Sequence, residues 1–396
     1  MPADDQRLFH RDYLFILGST FSLGACFYGL AAVMPIYAQS LGAGPFEIGL
    51  VTGVFAAVAF LSRLPTAYII DRIRRKWVMI TGAVIFGLSP LGYALVAAVP
   101  ALLVLRAFNG IGMATFVTAG QTLATVVSPV KRRAEAMGIY TTAYNISLGF
   151  GPPLGVLIAS EAGFASIFVV CAALGFVSAM SAIQVRERPL EVAAIHKRRL
   201  LNRDALGPSV FMFASMFAYG GLFTFGPILA IERGLPNAGL PFITYTVGLM
   251  LSQWSAGRIS DRFGRAYVIL PGLAITGVAL WLLAFAQAWL ILGASLAVGV
   301  GIGATQPSLF AVAADRGKLE ERGSAMATIG MALEVGISSG AIVGGLVAAG
   351  IALQGFPQVP GLGINGTFIV AGSLPALGAV LGLASPATRE WLVGRA

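Results

Sequence analysis

Asp71-Arg72-Ile73-Arg74-Arg75-Lys76 closes a long apolar run, and a related stretch, Gly257-Arg258-Ile259-Ser260-Asp261-Arg262-Phe263-Gly264-Arg265, closes another, with 190 residues between Asp71 and Asp261. Two further matches follow in the same order. Gly110-Ile111-Gly112-Met113-Ala114-Thr115 returns as Gly301-Ile302-Gly303-Ala304-Thr305, and Arg133-Ala134-Glu135-Ala136-Met137 returns as Arg322-Gly323-Ser324-Ala325-Met326. Three ordered matches at nearly one offset indicate an internal duplication, and charged turns between apolar runs indicate that the duplicated unit spans a membrane.

Composition agrees. The chain has 396 residues, 57% hydrophobic and 11% charged, with a mean hydropathy of +0.84, whereas soluble domains carry about 25% charged residues. Apolar segments long enough to cross a ~30 Å hydrocarbon core as helices recur along the whole chain and leave no room for a separate soluble domain. The pattern predicts twelve spans, at residues 12–38, 47–70, 77–97, 101–127, 135–160, 164–184, 207–231, 240–260, 266–286, 289–314, 323–350 and 363–385. The runs are continuous rather than alternating, which argues against a β-barrel. No small-x-small cleavage pattern follows a short apolar core in the first span, so it is expected to be retained.

The net charge of +9 is unevenly placed. Of the 26 Lys and Arg, all but Arg63, Arg106 and Arg233 fall at the termini, in a central stretch, or in or beside the loops after even-numbered spans. By the positive-inside rule both termini and those loops are cytoplasmic, with the chain in the cell inner (plasma) membrane. The basic balance is then topological, with a minor contact to anionic lipid, and calls for no nucleic acid. Cys26 and Cys171 fall mid-span and read as small packing residues rather than a disulfide. The charged stretch 185–206 divides the chain into a six-span half at 1–184, a cytoplasmic linker at 185–206 and a second half at 207–396. An even number of spans per half keeps the repeats parallel.

These motifs resemble the major facilitator superfamily over essentially the whole chain, in particular the 12-span drug/proton antiporter and sugar-efflux permease group. The resemblance implies an all-α integral membrane fold of twelve transmembrane helices in two pseudo-symmetric six-helix bundles. The family's loop signature is Gly-x-x-x-Asp-Arg-x-Gly-Arg-Arg/Lys. The second copy, with Asp261, Arg262 and Arg265, matches it; the first keeps Asp71, Arg72, Arg75 and Lys76 but has Ala67 and Arg74 at the two glycine positions. The family arrangement sets span 2 beside span 11, so Asp71 is expected near the N-terminus of span 11, where a helix favours an anion. Such a latch would bias the inward- and outward-facing states; the other reading of these charges is as topological stop signals.

Arg106-Ala107-Phe108-Asn109-Gly110-Ile111-Gly112 resembles the family's Arg-x-x-Gln-Gly-x-Gly, with Asn109 for glutamine. An arginine ~9 Å inside a span by helical rise is costly in lipid and is expected to face the bundle interior or a wet cavity. There the resemblance implies a response to protonation or an anionic group; snorkelling to the outer headgroups is the alternative. Gly138, with Gly151-Pro152-Pro153-Leu154-Gly155, resembles the antiporter motif Gly-x8-Gly-x3-Gly-Pro-x-x-Gly-Gly, with Ser147 and Val156 at two glycine positions. The prolines are expected to kink span 5 and the glycines to press it against span 8. In the superfamily this motif accompanies exporters; generic packing is the other reading.

Glu334 is the only carboxylate well inside a predicted span, and intramembrane carboxylates are functional candidates by default. Arg63 precedes Asp71 by eight residues, ~12 Å deeper by helical rise. If Asp71 lies near Gly323 or Ser324, the same rise brings Arg63 to Glu334 across the halves in the outward-facing state. Protonating Glu334 would then favour opening; a static buried salt bridge is the alternative. Cavity contacts are expected from Tyr28, Asn109, Tyr219, Thr224, Thr305 and Gln306, with Tyr140, Tyr144, Asn145 and Tyr245 from spans 5 and 8. With Phe223, Phe225 and the methionines they suit an amphipathic solute. The sequence has no Walker-type loop, no His/Cys cluster and no convergent nucleophile and base, so neither an enzyme nor a cofactor or metal is expected. The combined expectation is a monomeric proton-coupled exporter of a small organic solute. An importer or uniporter, and a transport-inactive membrane sensor, are the alternatives.

Overall fold

The computed structural model describes residues 8–70, 72–129, 132–187, 202–316, 322–350 and 363–384. Among these residues there is no strand. Twelve long helices run in order: α1 (Arg11–Ser40), α2 (Pro45–Ile70), α3 (Arg75–Tyr93), α4 (Val99–Val127), α5 (Arg133–Ala162), α6 (Phe164–Ile183), α7 (Leu206–Glu232), α8 (Leu240–Phe263), α9 (Ala266–Phe285), α10 (Ala288–Arg316), α11 (Arg322–Ala348) and α12 (Gly363–Ala384). Nine are apolar and long enough to cross a membrane by length and composition. The other three are α3, which opens on Arg75-Lys76, and α5 and α8, whose runs are broken by hydroxyls, glycines and charge.

Each predicted span coincides with one helix, and the third needs a correction at its end. Span 3 was placed at 77–97, but α3 stops at Tyr93. The apolar residues Leu95 and Val96 read as membrane, yet Leu95 is 87% exposed. The Tyr37 hydroxyl donates to the carbonyls of Tyr93 at 2.8 Å and Val96 at 3.0 Å, taking up acceptors that a longer helix would have bonded internally.

The two copies of the charged turn end their helices differently. In the second, α8 continues to Phe263 and stops at Gly264, whose φ of 97° is open to glycine but strained for other residues. In the first, Arg74 occupies that position with φ −54° and ψ 125°, and α2 ends earlier, at Ile70. Without the glycine, the chain leaves the helix by an ordinary turn, Ile73 N–H donating to the Ile69 carbonyl at 2.9 Å.

Packing separates two compact units. The first holds α1 up to Tyr37 and α2 from Ala57 through α6; the second holds Ala38–Ala56 and the described residues from α7 onward. In the first unit α3 packs between α4 and α6, and in the second α9 packs between α10 and α12. The same glycines make both layers. A Cβ on Gly87 would lie 3.0 Å from the Gly175 Cα of α6, and one on Gly277 2.8 Å from the Gly372 carbonyl of α12. Gly82 meets Gly112 and Phe116 of α4 as Gly272 meets Gly301 of α10. Gly82 and Gly272, like Gly87 and Gly277, are separated by the same 190 residues as Asp71 and Asp261. Small residues let helix backbones approach where lipid provides no hydrophobic drive.

Candidate functional site

The turns hold to their own units through their basic residues. Asp71 lies outside the described residues, and Asp261 sits on the last turn of α8. The Arg72 guanidinium lies 3.8 Å from the Tyr68 ring centroid. Arg75 pairs with Glu187 at 3.4 Å, and the Glu187 carboxylate also accepts the backbone N–H groups of Arg75 and Lys76, each at 3.1 Å. Glu187, just beyond α6, thus caps α3, where the helix dipole favours an anion. In the second unit Arg265 pairs with Asp315 at the end of α10, and Arg262 lies 5.3 Å from the Phe263 ring centroid. The start of α1 is fixed at the same end of the first unit. His10 Nε2 is 2.9 Å from the Val127 carbonyl, Asp12 accepts from the Arg186 N–H at 3.0 Å, and the Tyr13 hydroxyl donates to Ala136.

Arg106 is 5% exposed and Asn109 is fully buried. Arg106 donates to the Asn109 side-chain oxygen at 3.1 Å, and Asn109 donates in turn to the Phe86 carbonyl of α3 at 3.4 Å. An asparagine one turn from the arginine orients it and ties it to the neighbouring helix. Nearby, Tyr28 lies 5.1 Å from Tyr144 and 4.8 Å from Phe27 between ring centroids. Asn145 is half-buried on α5.

The second unit has its own aromatic group: Tyr219 and Phe223 at 4.1 Å, Phe223 and Phe242 at 4.6 Å, Tyr219 and Tyr245 at 5.8 Å. Gln306 is half-buried, and Thr224 and Thr305 are fully buried. The Thr305 hydroxyl is used on the Gly301 carbonyl at 2.7 Å, one turn back in its own helix. Glu334 is half-buried on α11 in the second unit, and Arg63 is half-buried on α2 in the first.

The Gly-Pro segment of α5 faces α1. A Cβ on Gly151 would lie 2.8 Å from the Tyr28 Cβ, and one on Gly155 would overlap the Gly29 carbonyl, whereas Gly138 has open space. The sequence reading named α8 as the partner; helix α1 within the same unit is the neighbour these glycines require. Cys26 and Cys171 are buried free thiols in the same region, the Cys171 thiol donating to the Cys26 carbonyl at 3.6 Å.

Within the second unit, the first turns of α2 lie on α11. The Ser338 hydroxyl donates to the Gly53 carbonyl at 2.9 Å, and a Cβ on Gly49 would sit 2.5 Å from the Ala341 carbonyl oxygen. Gly345 in turn leaves only 2.8 Å to the Pro45 carbonyl. Gly49→Leu is expected to push this seam apart at a cost of about 1–3 kcal/mol, the range for overpacking. A lower melting temperature of the purified protein would read it; unchanged melting would show that the seam yields freely.

The sequence profile of the Major Facilitator Superfamily matches residues 16–248 and again 211–393, which together span most of the chain. The chain belongs to the major facilitator superfamily. It is a multi-pass membrane protein whose relatives are transporters. It is 28% identical over 358 residues to an uncharacterized MFS-type transporter of Methanocaldococcus jannaschii, covering 85% of this chain and 90% of that one. A homolog of the multi-drug resistance efflux pump PmrA from Lactococcus lactis is 26% identical over 360 residues, covering 86% and 87%. Among solved structures, a bacterial homolog of the human lysosomal transporter Spinster superposes with a TM-score of 0.78 at 16% identity, over 96% of this chain and 97% of that one. The nucleoside transporter NupG gives 0.74 at 15% identity, over 94% and 98%. At these identities the likeness is one of fold.

The partners that the structure gives the motif residues were not expected from the sequence. Glu187, Asp315, Phe27 and Phe242 were not singled out. Glu187 lay in a stretch read only as linker, and nothing local to residue 187 signals the N-terminus of a helix that begins at residue 75.

Proposed function

We propose that this chain is a proton-coupled exporter of a small amphipathic organic solute, working by alternating access of two halves, 1–184 and 207–396, joined by the linker 185–206. The observation that carries the reading is Glu334: a half-buried carboxylate twelve residues after the start of α11, on a helix apolar enough to cross a membrane. Such a group persists in a span where it can bind and release a proton or pair with a cation. Arg63 and Arg106 are its proposed partners in coupling. Asp71, Arg72 and Arg75 in one half and Asp261, Arg262 and Arg265 in the other form the proposed latches.

Export is supported by the Gly151-Pro152-Pro153-Leu154-Gly155 segment and by similarity to the PmrA homolog. An amphipathic solute is supported by the two aromatic groups, around Tyr28 and around Tyr219. The protein would act as a monomer in the inner (plasma) membrane, with both termini cytoplasmic, as the distribution of Lys and Arg suggests.

The test is uptake of a panel of amphipathic solutes into inside-out vesicles under an imposed pH gradient. Accumulation that collapses with the gradient supports the reading. A transported solute with no accompanying proton movement overturns the coupling, and accumulation only in right-side-out vesicles overturns the direction.

A further inference from the structure

We propose that the first unit carries a binding site for the phosphate of an anionic phospholipid, at the end where α1 and α3 begin and α6 finishes. A cavity of about 350 Å³ opens there, with Arg11, Arg74, Lys76, Trp77, Arg186 and Glu187 in its wall. Four cations face it against one carboxylate. That carboxylate is already committed: Glu187 is bonded by two backbone N–H groups and the Arg75 guanidinium, and its side chain is 1% exposed. Asp12 beside it accepts the Arg186 backbone N–H. The cavity therefore presents net positive charge that a phosphate would neutralise, with guanidinium forks suited to its oxygens.

The rim argues for a lipid rather than a soluble anion. Trp77 is 53% exposed, and Ile73 and Ile183 beside it are also exposed. An exposed indole at the end of a helix in a membrane protein suits the headgroup level, where indoles are enriched. The Lys76 ammonium lies 5.7 Å from the Trp77 ring centroid and the Arg11 guanidinium 5.5 Å from that of Phe15, so the charged heads sit against aromatic rings at the edge of the cavity. A free phosphate would use the cations alone; a phospholipid would also cover the apolar rim with its acyl chains.

The test measures binding of phosphatidylglycerol, phosphatidylcholine and inorganic phosphate to the full-length protein in detergent, by native mass spectrometry and thermal shift. Phosphatidylglycerol is expected to bind in preference to phosphatidylcholine. Each cation near anionic lipid contributes about five-fold in affinity. Lys76→Gln is therefore expected to weaken binding about five-fold and the double variant Arg74→Gln/Arg186→Gln about 25-fold. Arg74→Lys/Arg186→Lys should retain it, separating charge from folding, and Arg233→Gln, far along the sequence in the second unit, should not change it. Equal binding by parent and glutamine variants, or equal binding of phosphatidylcholine, would overturn the site. Inorganic phosphate that displaces the lipid at equal concentration would make it a soluble-anion site instead.

Discussion

Glu334→Gln is expected to leave a folded, solute-binding protein that no longer accumulates its solute against a pH gradient. Glutamine keeps the size and the hydrogen-bonding shape of the side chain but carries no exchangeable charge. Coupling between two ligands typically amounts to about 1–3 kcal/mol, or 5- to 150-fold, so the fall in gradient-driven accumulation should be about ten-fold or more. Downhill exchange should survive, because the scaffold around α11 is untouched. Reconstituted protein assayed with and without the gradient separates the two. If pH-dependent transport by Glu334→Gln matches the parent, the carboxylate is structural. Arg63→Gln is the complementary probe, since a coupling pair should lose its pH response from either side.

The second large effect concerns α5. Gly155→Leu is expected to break the contact between α5 and α1, because the first side-chain carbon already overlaps the Gly29 backbone, which has no rotamer with which to give way. Overpacking a well-packed core costs about 1–3 kcal/mol where side chains can yield, and an obstacle made of backbone puts this site at or above the top of that range. Gly138→Leu, from the same motif, meets open space and should melt like the parent. A pair of melting curves decides it: equal shifts for both variants would mean that the motif acts through sequence-local helix geometry rather than through the fit against α1.

That contrast shows how far the motifs could be read in advance. The sequence marks Gly138, Gly151 and Gly155 as one pattern, yet two clamp α1 and one does not. Helical spacing says which residues share a segment, not which neighbour each will meet. The site divides in the same way. Arg106 was legible because an arginine in a span is costly unless buried among polar groups, and Asn109 three residues on was legible as its variant motif partner. Phe86, whose carbonyl holds Asn109, sits on another helix and carries no polar signal of its own. Thr305 was named for its polarity, but its hydroxyl bonds its own helix, a local choice that composition does not reveal.

The sequence by itself determined twelve helical spans, their duplication and the placement of charge at their ends, because crossing hydrocarbon demands long apolar helices with every backbone group bonded internally. Three motifs that recur in order about 190 residues apart, Asp71 and Asp261 among them, indicated the repeat. Tertiary structure decided what each repeat touches: Glu187 on the start of α3, Asp315 on Arg265, Gly87 on Gly175 and Gly277 on Gly372, and the first turns of α2 on α11. The physical reason is that apolar helices are interchangeable to lipid. Only close backbone fit and the pairing of a few buried or terminal charges distinguish one neighbour from another, and both depend on residues far apart in the chain.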